Sequence, residues 1–338
     1  MVQIRHLRKE YKDLVAVKNL CLDLEAGDIF GFIGPNGAGK TTTIKMLATL
    51  LIPTAGTAFV DGIDVVREPE KVRGIVGYMP DFFGVYDDIK VWEYLDFFAA
   101  AYRIPRDQRP QIIDDVLTLT DLTVKKDSYV ESLSRGMKQR LCLAKTLVHD
   151  PKVLLLDEPA SGLDPRARIE IKELLKELRA MGKTIIVSSH ILPELADFCN
   201  KIGIIEKGEL LVAGPVEEIV RQVREHHTLE IRIADDEPAA EPNAEAVEKA
   251  AGAPAGVAQS PDGTSPAEHA MRVLRGLEEI HNVRYVDHVL QADYAGPPNG
   301  EWRVLRALVS HDVRVLSFTT QATDLEDVFL KVTRGIVS

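Results

Sequence analysis

Gly34, Pro35, Asn36, Gly37, Ala38, Gly39, Lys40 and Thr41 fit the pattern G-x-x-x-x-G-K-[ST]. Its glycines let a backbone curl so that N–H groups point inward at phosphate. Lys40 would reach the β- and γ-phosphates, and the Thr41 hydroxyl would ligate Mg²⁺. A helix beginning here, through Thr42, turns its positive end to the anion. Farther along, the apolar run Val153–Leu156 ends in Asp157 and Glu158. Charges are costly to bury unpaired, so a packing role for this pair is a poor account. At the C-terminal edge of a strand, Asp157 can hold Mg²⁺ through its water shell, and Glu158 can polarise an attacking water as general base. His190 follows the run Thr184–Ser189. Alone it would be an ordinary satisfied histidine; beside a phosphate loop it is placed to donate to a γ-phosphate oxygen and to steady Glu158 or the water. Ser134, Arg135, Gly136 and Met137 precede the apolar stretch Leu141–Val148. Ser134 is a good helix N-cap, which can be its whole role. The other reading is a second anion site, built from hydroxyl, backbone N–H and helix dipole, serving a nucleotide held by another subunit.

These residues need elements to carry them. Ile29–Ile33, Ile75–Met79, Val153–Leu156 and Thr184–Val187 are near-continuous apolar runs alternating with amphipathic stretches. That pattern predicts an α/β layer with a mostly parallel sheet. Ile171, Leu174, Leu175 and Leu178 predict a helix over Ile169–Met181, stopped by Gly182. Ile202–Ile205 and Leu210–Ala213 flank Lys207-Gly208 as a hairpin. Residues 82–110 are rich in aromatics, and Trp92, Leu95 and Phe98 recur at helical spacing. Phe82, Phe83 and Tyr86 are equally consistent with packing and with a seat for a partner's helix.

The chain has 338 residues, which suits two domains. Between Ala234 and Glu268 there are 11 Ala, 5 Pro and 3 Gly, with 8 acidic residues against 1 basic. Such a segment cannot bury a core and reads as a flexible linker or large surface loop. It contributes −7 of the formal net charge of −11, leaving −4 for the rest. With the rest close to neutral, charge argues only weakly against a nucleic-acid backbone, and none is expected as partner. After the linker, Met271, Val273, Leu274, Leu277 and Ile280 predict a helix and Val283–Leu290 a strand. Trp302, Leu305, Leu308 and Val309 predict a second helix, and Val313–Phe318 a second strand. Thr323–Glu326 is a capping box before Leu325, Val328, Phe329 and Val332. Thr228–Ile233 can add a strand to the same small α+β unit. Cys21, Cys142 and Cys199 show no metal-ligand spacing and suggest no disulfide framework. The opening residues have no signal core, and no run of about 18 apolar residues is present. The expectation is a protein of a reducing compartment that leaves any membrane crossing to another chain.

Taken together, a Walker A loop at 34–41, a signature at 133–137, a Walker B strand at 153–158, a Ser-Gly-Leu-Asp-Pro loop at 161–165 and a switch histidine at 190 resemble the ATP-binding cassette (ABC) family over residues 1 to about 225. The resemblance implies an α/β P-loop NTPase cassette with a mostly parallel sheet core, an antiparallel β subdomain and a helical subdomain at about 82–150. A small C-terminal α+β accessory domain would occupy 226–338, interrupted by the linker at 234–268. It implies ATP hydrolysis with ATP and Mg²⁺, and a head-to-tail pair of cassettes, expected to be a homodimer. Lys40, Thr41, Asp157, Glu158 and His190 would act in cis; Ser134, Arg135, Gly136 and Met137 would act in trans. Asp164 would communicate across the dimer. Tyr11 lies where the family places the aromatic that stacks on adenine.

Two positions depart from the family pattern. The usual signature is Leu-Ser-Gly-Gly-Gln, where this chain has Arg135 and Met137. Arg135 either adds positive charge near the γ-phosphate or faces solvent. The family's glutamine after Pro80 is replaced by Asp81, which can accept from a metal-bound water but cannot donate an amide hydrogen bond. Phe97-Phe98-Ala99-Ala100, Leu133–Leu141 and Leu325–Thr333 resemble exporters whose partners are ABC-2 type permeases. The expectation is a cytoplasmic subunit, peripheral on the inner face of the membrane, that powers efflux of a drug-, antibiotic- or lipid-like substrate through a separately encoded transmembrane permease. The alternative is a soluble ABC ATPase acting on ribosomes or nucleic acid.

Overall fold

The computed structural model describes residues 1–81, 84, 88–219, 227–234, 265–286, 288–297 and 299–320. The chain divides into two compact units, and the described part of the first ends at Ile219. Two sheets build this unit. The strands β1 (Val2–Tyr11), β2 (Leu14–Leu24), β4 (Ala55–Val60) and β5 (Ile63–Asp64) form an antiparallel sheet in the order β2-β1-β4-β5. The strands β3 (Ile29–Ile33), β6 (Val76–Met79), β7 (Val153–Asp157), β8 (Thr184–Ser189), β9 (Lys201–Glu206) and β10 (Glu209–Pro215) form the second, ordered β10-β9-β3-β8-β7-β6. Its pairings are parallel except for the β9–β10 hairpin at one edge. Every residue of β3, β7 and β8 is buried. Strands covered on both faces cannot alternate apolar with polar, which is why their sequences read as unbroken apolar runs.

Helix α1 (Lys40–Leu47) leaves the end of β3, and α2 (Pro69–Ile75) feeds β6. Helices α3 (Val91–Ala101), α4 (Arg109–Leu119) and α5 (Arg135–Leu147) pack on one another as a helical region. Helix α6 (Pro165–Ala180) begins earlier than the hydrophobic spacing suggested, because Asp164 caps it and Pro165 fits its first turn. Helix α7 (Leu192–Ala196) follows β8. Among the described residues, no helix is long and apolar enough to cross a membrane.

Among its described residues the second unit has four strands, β11 (His227–Ile233), β12 (Ile280–Val286), β13 (Val289–Tyr294) and β14 (Val315–Thr320), and the helices α8 (Pro266–Arg275) and α9 (Trp302–Ser310). Its antiparallel sheet runs β12-β13-β11-β14, a split β-α-β-β-α-β arrangement. Leu229, Ile231, Leu290 and Ala292 pack under Ala270, Leu274, Val304 and Leu308. Three sequence expectations are corrected here. The compositional linker was drawn to Glu268, but Ser265 and Glu268 form a reciprocal capping box that starts α8. The first helix ends at Arg275; Leu277 and Ile280 reach the same core from the following turn and from β12, which mimics helical spacing. Val283–Leu290 is two strands of a hairpin, with His288 at φ +63 in the turn, a conformation histidine tolerates better than most residues. The expectations for Phe82, Phe83, Tyr86, most of the linker and the capping box at 323–326 fall outside the described residues.

Candidate active site

The parallel register gathers the singled-out residues at the C-terminal ends of neighbouring strands. The strand β8 lies between β3 and β7, with Ser188 opposite both Phe32 and Asp157. The chain leaving β3 enters the loop 34–39, and the chain leaving β7 turns at Glu158. At Gly34 a Cβ would lie 2.2 Å from the carbonyl oxygen of Ile205, and Gly39 sits at φ +111. A side chain fits neither place, so the loop curls tightly against β9 and β2. Behind it, the N–H of Gly208 donates to Ala38 O at 2.9 Å, and the Gly208 carbonyl accepts from Lys18 N–H at 2.9 Å.

Lys40 is 5% exposed, and its ammonium donates to the carbonyl oxygens of Gly34 at 2.6 Å and Pro35 at 3.3 Å. The same ammonium lies 3.6 Å from the Glu158 carboxylate. Thr41 Oγ1 donates to Asp157 Oδ1 at 3.1 Å, and Ser188 Oγ donates to the same oxygen at 2.7 Å. Asp157 is 1% exposed and, among the described residues, has no cationic partner within ion-pair distance. A buried carboxylate met only by hydroxyls fits a hard divalent cation. Among the described residues no cluster of three or more His, Cys, Asp or Glu could hold a metal, so such an ion would rely on substrate phosphates and water for its remaining ligands.

Glu158 has φ +50, left-handed for a side chain that rarely adopts it, and it precedes a proline, which disfavours helical geometry further. Its N–H is held by Ser188 Oγ at 3.0 Å, and its carboxylate lies 3.0 Å from His190 Nδ1. Burial pushes the Glu158 carboxyl above the ordinary carboxylate range, outweighing the opposing pull of Lys40 and His190. Burial, with Asp157 and Asp81 nearby, pushes the Tyr78 hydroxyl up to about 12, so it stays neutral. The site therefore combines an ammonium, a tightly curled glycine loop, a carboxylate–hydroxyl pair and a carboxyl–imidazole pair. These are the parts needed to bind a polyphosphate and deprotonate a water.

The other singled-out residues lie elsewhere. Asp81 is exposed just past β6. Tyr11 ends β1, is 42% exposed, and has the Lys9 ammonium 5.2 Å from its ring centroid. Ser134 N-caps α5, accepting from Met137 N–H at 3.3 Å; Gly136 follows in the first turn. Asp164 N-caps α6, accepting from Ala167 N–H at 2.9 Å. Arg135 reaches the turn before Asp164, its Nη2 3.4 Å from Ser161 O. Two supporting residues escaped the sequence reading. Ser188 bridges Asp157 and Glu158, and buried Gln139 donates to Pro159 O at 2.7 Å. The available signal for Ser188 was a hydroxyl ending an otherwise apolar buried strand.

Comparison with known proteins agrees with this geometry. The family profile "ABC transporter" matches residues 17–161. A Nod factor export ATP-binding protein I from Cupriavidus metallidurans is 38% identical over 220 residues, covering 65% of this chain and 73% of the relative. The linearmycin resistance ATP-binding protein of Bacillus subtilis is 27% identical over 335 residues, covering 98% of both chains. Among solved structures, an ATP-binding subunit of an ABC transporter is 28% identical, with a TM-score of 0.60, covering 66% of this chain and 93% of that one. A dimeric ATP-binding cassette in a post-hydrolysis state with ADP and Pi is 26% identical, with a TM-score of 0.59, covering 64% of this chain and 99% of that one. The loop at 34–41, the paired hydroxyl and carboxylate at 41 and 157, and these relatives converge: the chain belongs to the ABC transporter family, as an ATP-binding subunit that hydrolyses ATP.

Proposed function

We propose that this chain is the cytoplasmic ATPase subunit of an exporter, driving efflux of a drug-, antibiotic- or lipid-like substrate through a separately encoded permease. The observation that carries the catalytic part is the Glu158 carboxylate, 3.6 Å from the Lys40 ammonium and 3.0 Å from His190 Nδ1, beside the Thr41–Asp157 pair. Residues Gly34–Thr42 cradle the phosphates, Lys40 balances charge on the β- and γ-phosphates, and Tyr11 stacks on adenine. Thr41 and Asp157 would hold Mg²⁺, with Asp81 accepting from its water shell; the ion supplies charge neutralisation on the phosphates when bound. Glu158 takes a proton from the attacking water. As the new P–O bond forms, the β–γ bridging P–O bond breaks, and ADP leaves with phosphate as co-product. A carboxyl with raised affinity for protons is a better base than an ordinary one, provided it is ionised at the working pH. His190 holds Glu158 and donates to a γ-phosphate oxygen.

In this reading two cassettes pair head to tail, and the signature at 134–137 of one meets the nucleotide of the other through Ser134 and Gly136. Asp164 carries the state of one site to its neighbour. Residues 226–338 form an accessory domain. Support for an exporter comes from the export and resistance functions named for the relatives, one of which matches almost the whole chain. The test is co-expression with a candidate permease of about six apolar spans. The two are expected to co-purify from membranes, with ATPase activity altered by the permease's substrate. A chain that stays wholly in the soluble fraction, with activity indifferent to the permease, overturns the exporter reading.

A further inference from the structure

We propose that Arg135 is a positioning residue, which pins the turn Ala160–Leu163 from the same chain's signature helix and so fixes Glu158. The guanidinium sits directly over Gly162, where a Cβ would lie 2.2 Å from Nη2 and 2.5 Å from Cζ. The missing side chain at Gly162 is therefore what makes the seat. From it, Nη2 donates to the Ser161 carbonyl at 3.4 Å. The N–H of Ser161 donates in turn to the Glu158 carbonyl at 3.0 Å. Two hydrogen bonds thus link the first residue of α5 to the backbone of the base.

The rest of that helix points the same way. Gln139 Nε2 donates to Pro159 O at 2.7 Å, and Arg140 pairs with Glu170 on α6. Positions 135 and 139 are neighbours on one helix face, position 140 is turned away from them, and all three reach the segment 159–170. Gln139 is buried and holds the start of the segment. Arg135 alone of the three engages the turn that follows. A long hydrogen bond at the surface stabilises little by itself. Here it acts on a residue already held at φ +50, whose geometry depends on outside restraint. The proposal rests on the reading that Ser134 and Gly136 face the partner's nucleotide. Given that, an ATP closing on the signature of one chain steadies the base of that same chain.

The full chain, with its permease, tests this through a split of kcat from KM. Arg135→Ala should lower kcat about five- to tenfold, the equivalent of one ordinary hydrogen bond lost, with KM for ATP within about twofold. Arg135→Gln, which keeps a donor without charge, should recover part of the loss. Gly162→Asn tolerates the left-handed backbone but displaces the guanidinium, so it should reproduce the kcat loss and add little in the Arg135→Ala background. Thermal melting of each variant confirms that it is folded. An unchanged kcat in Arg135→Ala overturns the proposal. So does a rise in KM that Lys restores and Gln does not, which would assign Arg135 to the phosphate instead. Ser134→Arg separates the two layers. If it abolishes turnover, the signature reading stands whatever position 135 does. If it turns over like wild type, that reading fails and the proposal with it.

Discussion

At the scale of single residues, the site turns on Glu158. It is held in a left-handed conformation, and burial raises its affinity for a proton despite a nearby ammonium and imidazole. A base must be ionised, so activity should fall as pH drops through a value above the ordinary carboxylate range. Because the His190 imidazole touches the Glu158 carboxylate, the measurement belongs in a His190→Gln chain, from the residual turnover against pH. The acid limb should still lie above the usual glutamate value; a limb at that value contradicts the environment described. Lys40, Thr41, Asp157 and Glu158 were legible in the sequence because each sits in a short local pattern whose chemistry follows from spacing. Ser188 was not, since its reach to both Asp157 and Glu158 depends on strand register, which no local pattern encodes.

At the scale of elements, the start of β3 must be fixed for the phosphate loop at its other end to be fixed. Asp28, buried just before the strand, accepts from Asn200 at 2.7 Å, Lys201 at 2.8 Å and Glu25 N–H at 2.8 Å. Burial alone would raise its carboxyl, but Lys201, Asn200 and the Glu25 N–H hold it below the ordinary range. A lowered carboxyl contributes stability that is present above the ordinary carboxylate range and lost as pH falls through its lowered value. Asp28→Asn should therefore cost about 2–3 kcal/mol at neutral pH by denaturant unfolding, and the difference from wild type should shrink on acidification. An equal difference at both pH values contradicts this network. The buried parallel strands were readable because burial on both faces writes itself as apolar runs. In the second unit the reading slipped where distant residues share one core. Leu277 and Ile280 follow a helical period without being helical, and the β12–β13 turn carries no glycine to mark it.

At the scale of the whole molecule, the acidic balance belongs mostly to residues 234–268, and the remainder is close to neutral. Charge thus says little about partners; the case for paired cassettes rests on the site, and the case for coupling to a membrane on the relatives. Ser134 N-caps α5, and Gly136 lies in its first turn. If they serve a second nucleotide, ATP must bring two chains together. The most direct test of the account is size exclusion with light scattering of Glu158→Gln, with and without MgATP. Removing the base should lower turnover at least about 10²-fold and trap a dimer that forms only with nucleotide. A chain that remains monomeric with ATP, or that hydrolyses it at the wild-type rate, contradicts the shared site and the role of Glu158 within it.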